Sequence, residues 1–370
     1  MRVSIVGGGI AGLSLAWALT RRGIDAALFE QGAVPNPRSS SHDEHRITRH
    51  SYGGLSGYGA MMPAAFEAYE TLFADLGIRH IHPERLVYIG RRASDWPETT
   101  ARELDTLGIR HRSLSRDVLA AMLPMIRTDD VIEAFEAEGA GELFAGRIVE
   151  GLAAWLREAG VTIHEGTRVR AIDPAIGRVV TDGGQFDADL VVVAAGAWVG
   201  DLLPELKGRL VPSRQTVLYL EPPQRFAAAW AAAPILVDTG LSHGAYVLPP
   251  KAGTRLKIGD HVFTRRGHGD DDRIATEVDI APVAAAAREA FVDFDHYRLL
   301  EAKVCYYTVT EDERFVVEPI GAAGFVVSAC SGHGFKLGPL IASRLADAIA
   351  GRASIGSVSA YAAGRAPAGP

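Results

Sequence analysis

Sulfur is scarce in this chain of 370 residues, which holds two cysteines, Cys305 and Cys330, and five methionines. Two thiols cannot build a disulfide framework, so the fold must rest on buried apolar surface. No apolar run approaches the roughly 20 residues that cross a bilayer, which argues against a helical membrane span. The opening MRVSIVGGG has no cationic start, long apolar stretch or cleavage site, and together with the cysteine usage this predicts a cytoplasmic protein. Positive charge is not in excess either. A net charge of −7 provides no general attraction to nucleic acid or to an anionic membrane, and small molecules are the expected partners.

What is present is an ordinary globular composition, 48% hydrophobic and 22% charged, on a length beyond a single core. Two domains or one interleaved pair are expected. The stretch RVSIVGGGIAGLSLAWALTRRGIDAALFEQ reads as strand, glycine turn, helix closed near Gly23, and second strand ending at Glu30. Gly7, Gly9 and Gly12 fit G-x-G-x-x-G in that context. The first permits a tight turn, the second lets backbone approach a pyrophosphate, and the third lets helix pack on strand. The helix start then presents free N–H groups to the anion. Glu30, 23 positions after Gly7, is placed to accept hydrogen bonds from a ribose. A glycine turn with no ligand is the bland alternative, but strand, helix and acid all fall in place for a dinucleotide. An NAD dehydrogenase would continue with further βαβ units. This chain instead enters a loop rich in Arg, His and Ser, which favours FAD.

That loop, PNPRSSSHDEHRITRHSYGG, shows no apolar periodicity. A helix is expected from Ala60 to Leu76, a strand at RLVYIGR, and mixed helical and turn signals from Pro97 to Pro124. A second helix and strand follow in GRIVEGLAAWLREAGVTIHEG. The meander after it ends in DLVVVAAG, an apolar run suited to burial on both faces. From Arg209 to Thr310 longer alternating strands suggest an antiparallel sheet. GFVVSACSGHGFKLGPLIASRLADAIAG then reads as strand, glycine loop and helix, and YAAGRAPAGP as a frayed end. The fold class is therefore α/β: a Rossmann-like FAD-binding domain (1–78, 141–206 and 311–362) interleaved with an α+β substrate domain on a mostly antiparallel sheet (79–140 and 207–310), with a flexible tail (363–370).

Three stretches, SSSHDEHRITRHSYG, RLKIGDH and VCYYTVTEDERF with the later SGHGFK, resemble in order the segments of the monomeric sarcosine oxidase and N-methyltryptophan oxidase family, within the D-amino-acid oxidase group. The resemblance implies an FAD-dependent oxidase of an α-amino acid, most suited to a secondary amine, giving an imine and hydrogen peroxide with molecular oxygen as acceptor. It implies a flavin between the two domains, joined through its 8α carbon to Cys305. Arg46 is implied to lie against the flavin ring, with His42 nearby and Gly332 and Gly334 in the cofactor loop. Arg49 and Lys336 are implied to hold the substrate carboxylate, Lys336 also standing near the cofactor. Lys257 is implied to promote reaction of the reduced flavin with oxygen. Tyr246, His261 and Tyr307 fit pocket positions. A monomer is implied, and no metal site is expected.

Taken as bare residues, Cys305 is a small buried hydrophobe, Lys257 a strand lysine turned to solvent, and Arg46 with Arg49 a solvated basic loop. His45, Thr48 and His50 receive no role. Two departures from the family pattern stand out: Gly54 replaces a pocket glutamate, and Asp43-Glu44-His45 differs locally. Sarcosine itself is therefore not the expected substrate. A dehydrogenase that passes electrons to another carrier, and a non-catalytic flavin-binding module, are the competing readings.

Overall fold

In the computed structural model the described residues are 1–94, 96–239, 244–328 and 330–365. The opening strand, Arg2–Val6, is buried on both faces from Val3 onward, and Val3 and Ile5 are fully buried. A strand of that kind belongs in the middle of a sheet covered on both sides. It pairs in parallel with Asp25–Phe29 on one side and Leu190–Val193 on the other. The sheet has six strands in the order Val316–Pro319, Gly324–Ser328, Leu190–Val193, Arg2–Val6, Asp25–Phe29 and Thr162–His164. Its pairings are parallel except that Val316–Pro319 runs against Gly324–Ser328. Three separated pieces of chain thus meet in one layer. Val191, Val192 and Val193 are all fully buried, as a run without alternation requires.

Helix Ile10–Thr20 follows the glycine turn and is buried over most of its surface, including Trp17, whose indole N–H donates to Asp75 at 2.7 Å. It packs between the helices Ala145–Glu158 and Gly338–Ile349, so its apolar residues need not keep to one stripe.

A second sheet has nine strands. Eight run in the order Arg298–Val309, Val211–Glu221, Leu256–Asp260, Ala245–Leu248, Ile235–Asp238, Ile81–Gly90, Glu133–Leu143 and Arg46–Thr48, and His111–Ser113 pairs onto Glu133–Leu143. Ile235–Asp238 and Ile81–Gly90 pair in parallel, and the other pairings are antiparallel. Helix Glu277–Ala290 covers one face, burying Val283, Ala286 and Ala287 against Leu218, Leu256 and Ile258. A small antiparallel sheet, Val169–Asp173, Arg178–Thr181 and Gly184–Asp187, completes the fold. Among the described residues no helix is long and apolar enough to cross a membrane.

The structure corrects three local expectations. The stretch 35–54 is not loop throughout, because Arg46–Thr48 takes the edge of the second sheet beside Leu143, Glu142 and Gly141, a partner nearly a hundred residues away. The helix expected from Ala60 begins at Ser56 and continues through Pro63. The chain end is packed further than a flexible tail from 363 would be: Tyr361, Ala362 and Ala363 are buried, and Arg365 pairs with Asp312 at 2.9 Å. The remaining tail, 366–370, lies outside the described residues.

Candidate active site

The glycine turn joins the first sheet to its helix under tight steric constraint. Gly7 has φ +115°, and a Cβ there would sit 2.3 Å from the Ala194 carbonyl oxygen. A Cβ on Gly12 would sit 1.9 Å from the Gly7 oxygen. Gly9 precedes the first helical residue and supplies no side-chain cap. Ile10 N–H donates to Ser41 Oγ at 2.9 Å, which ties the following loop over the turn. Glu30 is buried; its carboxylate accepts from Gly8 N at 2.8 Å, Gly32 N at 2.9 Å and Asn36 Nδ2 at 2.8 Å. A carboxylate offers about four acceptor positions, so one remains for a further donor.

From this turn a cavity of about 710 Å³ runs between the two sheets. Its lining includes Gly7, Gly9 and Glu30 around the turn, and also Arg46, Arg49, Tyr52, Tyr246, Tyr307 and Lys336, with His261, Gly332 and Gly334. Arg49 lies 5.9 Å from the centre of the Tyr88 ring and 6.0 Å from that of Trp96, and its Nε and Nη1 are buried without a hydrogen-bond partner. Leaving such donors unmatched costs about 1–3 kcal/mol each, and an acceptor in the cavity would relieve that cost. Lys336 is buried with Nζ 4.7 Å from the centre of the Tyr52 ring. Burial, and then the charge of Arg49, hold its pKa well below the ordinary lysine range.

Tyr52 is fixed by a neighbour in the SGHGFK loop. His333 is buried between the Tyr52 hydroxyl, 3.2 Å from Nδ1, and the Glu313 carbonyl, 3.0 Å from Nε2. Burial and then Lys336 push its pKa down to about 3. A neutral ring with Nε2–H donating to the carbonyl and Nδ1 accepting from tyrosine satisfies both contacts.

Behind the lining Lys257 and Arg46 meet at Asp43, an acid to which the sequence reading assigned no role. Asp43 accepts from Lys257 Nζ at 2.6 Å, pairs with Arg46 Nη2 at 3.0 Å, and accepts from the Tyr219 hydroxyl. Lys257 Nζ also donates to the His45 carbonyl at 3.1 Å. Lys257 is fully buried, not turned to solvent. Burial pushes its pKa down to about 8 against the opposing pull of Asp43. Burial would raise Asp43, but Arg46 and Lys257 overcome it and hold the carboxyl far below the usual range.

Lys257, Cys305 and His42 do not line the cavity. Lys257 reaches it through Asp43 and Arg46. Cys305 is buried in a cluster with Tyr307 and Val309, with Cys330 packed against it; burial pushes its thiol up, partly offset by Arg46. Tyr307 has its hydroxyl 3.5 Å from Arg46 Nη1. His42 is half-buried and faces Lys303 at 3.2 Å. His261 sits on the exposed rim, 3.3 Å from Glu313. Tyr246 is half-buried in the wall; a Cβ on Gly259 would meet its hydroxyl at 2.6 Å. Gly54 lines the cavity, and a Cβ there would meet nothing within 4 Å. Besides Asp43, the sequence reading did not assign Tyr52, Trp96 or His333. The acid three residues before Arg46 was the available local signal for Asp43.

The family model described as FAD dependent oxidoreductase matches residues 2–348. The chain belongs to that family. A monomeric sarcosine oxidase from Bacillus sp. (strain NS-129) is 26% identical over 369 residues, covering 93% of this chain and 92% of that protein. An N-methyl-L-tryptophan oxidase from Yersinia pestis (strain Pestoides F) is 26% identical over 346 residues, covering 90% of each. In three dimensions the chain is similar to the L-proline dehydrogenase from P. horikoshii, with a TM-score of 0.83 at 18% identity over 98% of this chain and 97% of that one. For an FAD-dependent oxidoreductase of this fold, the cradle that a Cβ would fill at Gly7 and Gly12, a helix start whose N-cap Gly9 has no side chain, and the cavity they open on fit the cofactor.

Proposed function

We propose that this protein is an FAD-dependent oxidase of an α-amino acid whose nitrogen is secondary, N-alkylated or cyclic. The observation that carries the reading is the pair Arg49 and Lys336 in the cavity wall: Lys336 is buried, and the half-buried Arg49 has two nitrogens without a hydrogen-bond partner. Arg49 would grip the substrate carboxylate through its planar fork, with Lys336 adding a second charge. Relatives named for oxidation of sarcosine and N-methyl-L-tryptophan support an N-alkyl amino acid. The open space at Gly54 favours a side chain larger than that of sarcosine.

FAD, when bound, would accept the two electrons of the α-carbon–hydrogen bond as the amine becomes an imine, and pass them to oxygen, which becomes hydrogen peroxide. Tyr246 and Tyr307 shape the wall and exclude water. Arg46 brings positive charge to the wall, and Lys257 adds a second cation behind it, a pre-placed field for the charge that forms when oxygen is reduced. Cys305 is the proposed covalent anchor of the flavin. The similarity to proteins named monomeric sarcosine oxidase supports a monomer.

One observation favours a second reading, a dehydrogenase that uses another acceptor: Lys257 is paired with Asp43 and does not line the cavity. A peroxide-coupled screen of N-methyl and cyclic amino acids finds the substrate. Rapid mixing of substrate-reduced enzyme with aerated buffer then decides between the readings. Fast reoxidation that collapses in Lys257→Met is the expected result; slow reoxidation that is unchanged in the variant assigns a dehydrogenase.

A further inference from the structure

We propose that Asp43 is a positioning residue of this site, a buried carboxylate that locks the Lys257 ammonium and the Arg46 guanidinium into one unit and keeps the lysine protonated. Its functional part rests on the reading of Lys257 given above. One oxygen of Asp43, Oδ2, is 2.6 Å from Lys257 Nζ and 3.0 Å from Arg46 Nη2, while Oδ1 accepts from the Tyr219 hydroxyl and from Glu44 N at 2.9 Å. Asp43 and Lys257 are both essentially inaccessible to solvent, so water cannot replace either contact. Two cations and one anion leave the unit with a net positive charge, and Arg46 presents that charge to the cavity.

The surroundings make the carboxylate necessary. Lys257 lies in a dry interior beside a second cation, and both conditions favour loss of its proton. Arginine keeps its charge in such a place and lysine does not. Other charged or titratable groups face the cluster from each neighbouring element. Lys303 and Cys305 come from the strand Arg298–Val309, Arg255 from Leu256–Asp260's leading edge, and Tyr219 from Val211–Glu221. His45 and Glu142, from the loop and from Glu133–Leu143, bond each other at 2.7 Å. Among these the ammonium contacts one carboxylate, Asp43.

The chain has five lysines, Lys207, Lys251, Lys257, Lys303 and Lys336, so the holoenzyme labelled with 13C at the lysine ε carbon gives few enough NMR signals to follow one by one. Lys257→Met assigns the signal. In Asp43→Asn the Lys257 midpoint is expected to fall by about 1–3 pH units, tenfold or more in acid dissociation. In Tyr219→Phe it is expected to rise, because the carboxylate loses a donor and becomes a stronger partner. The pH above which reoxidation slows should move with the midpoint in each variant. A midpoint unmoved in both variants overturns the proposal. A midpoint that moves while reoxidation keeps its pH dependence overturns the link to oxygen and the reading of Lys257 with it. Should Asp43→Asn not fold, Tyr219→Phe decides alone: an upward shift supports the proposal and an unmoved midpoint overturns it.

Discussion

The ammonium of Lys336 lies 4.7 Å from the centre of the Tyr52 ring, and that tyrosine is itself held by His333 at 3.2 Å. A ring quadrupole attracts a cation yet adds no opposite charge, so the aromatic face offsets only part of the burial that holds this lysine's pKa well below the ordinary range. An anion bound beside Arg49 would favour the lysine's protonated form.

Arg49→Lys replaces a planar fork by a point charge. Losing a charge-assisted bond of this kind is worth about 2 kcal/mol. The expected result is a roughly thirtyfold fall in kcat/KM for carboxylate-bearing amines, and little change for neutral amines. Steady-state kinetics on a matched pair of substrates checks it, and equal losses on both would remove the carboxylate assignment.

Gly54 opens on empty space in the cavity wall. Gly54→Leu should fill that space and narrow the range of substrates, with kcat/KM for large side chains falling about tenfold or more while sarcosine is little affected. The ratio of the two is the measurement. A variant that keeps the parent ratio would show that the substrate side chain points elsewhere.

Cys305 shares a cluster with Tyr307 and sits close to Cys330, which itself lines the cavity. Cys305→Ala should release the flavin when the protein is precipitated with acid, whereas the parent protein should precipitate yellow. Colour that stays with precipitated Cys305→Ala but leaves with Cys330→Ala would move the anchor to the second thiol.

His45 and Glu142 form a buried pair at 2.7 Å. Burial pushes Glu142 up to about 8 and pushes His45 down to about 3. Because the folded pKa of Glu142 is raised above its unfolded value of about 4.3, its contribution is fully present below that value and is lost as pH rises towards 8. Stability should therefore decline over this window, by at most about 1.4 kcal/mol per pH unit for one proton. His45 acts in the opposite sense, lowering stability as pH falls from about 6.5 towards 3. Glu142→Gln cannot ionise and should flatten the alkaline limb. Thermal unfolding of both proteins from pH 5 to pH 8 tests this, and parallel curves would refute it.

Features set by neighbours along the chain could be read from the residues alone. Gly7, Gly9, Gly12 and Glu30 were legible because a turn, a helix start and a strand end are set by backbone geometry over thirty residues. The valines of Leu190–Val193 were legible as a doubly covered strand because they carry no alternation. Arg46, Arg49, Lys257, Cys305 and Lys336 stood out by resemblance, without their contacts. Their contacts arise when distant segments pack together. Asp43 meets Lys257 across 214 positions and His45 meets Glu142 across 97, and Arg46–Thr48 became a strand because the edge of Glu133–Leu143 was there to receive it. An ion pair buried between distant segments depends on sheet register and on the exclusion of water, and neither is encoded in any single local stretch.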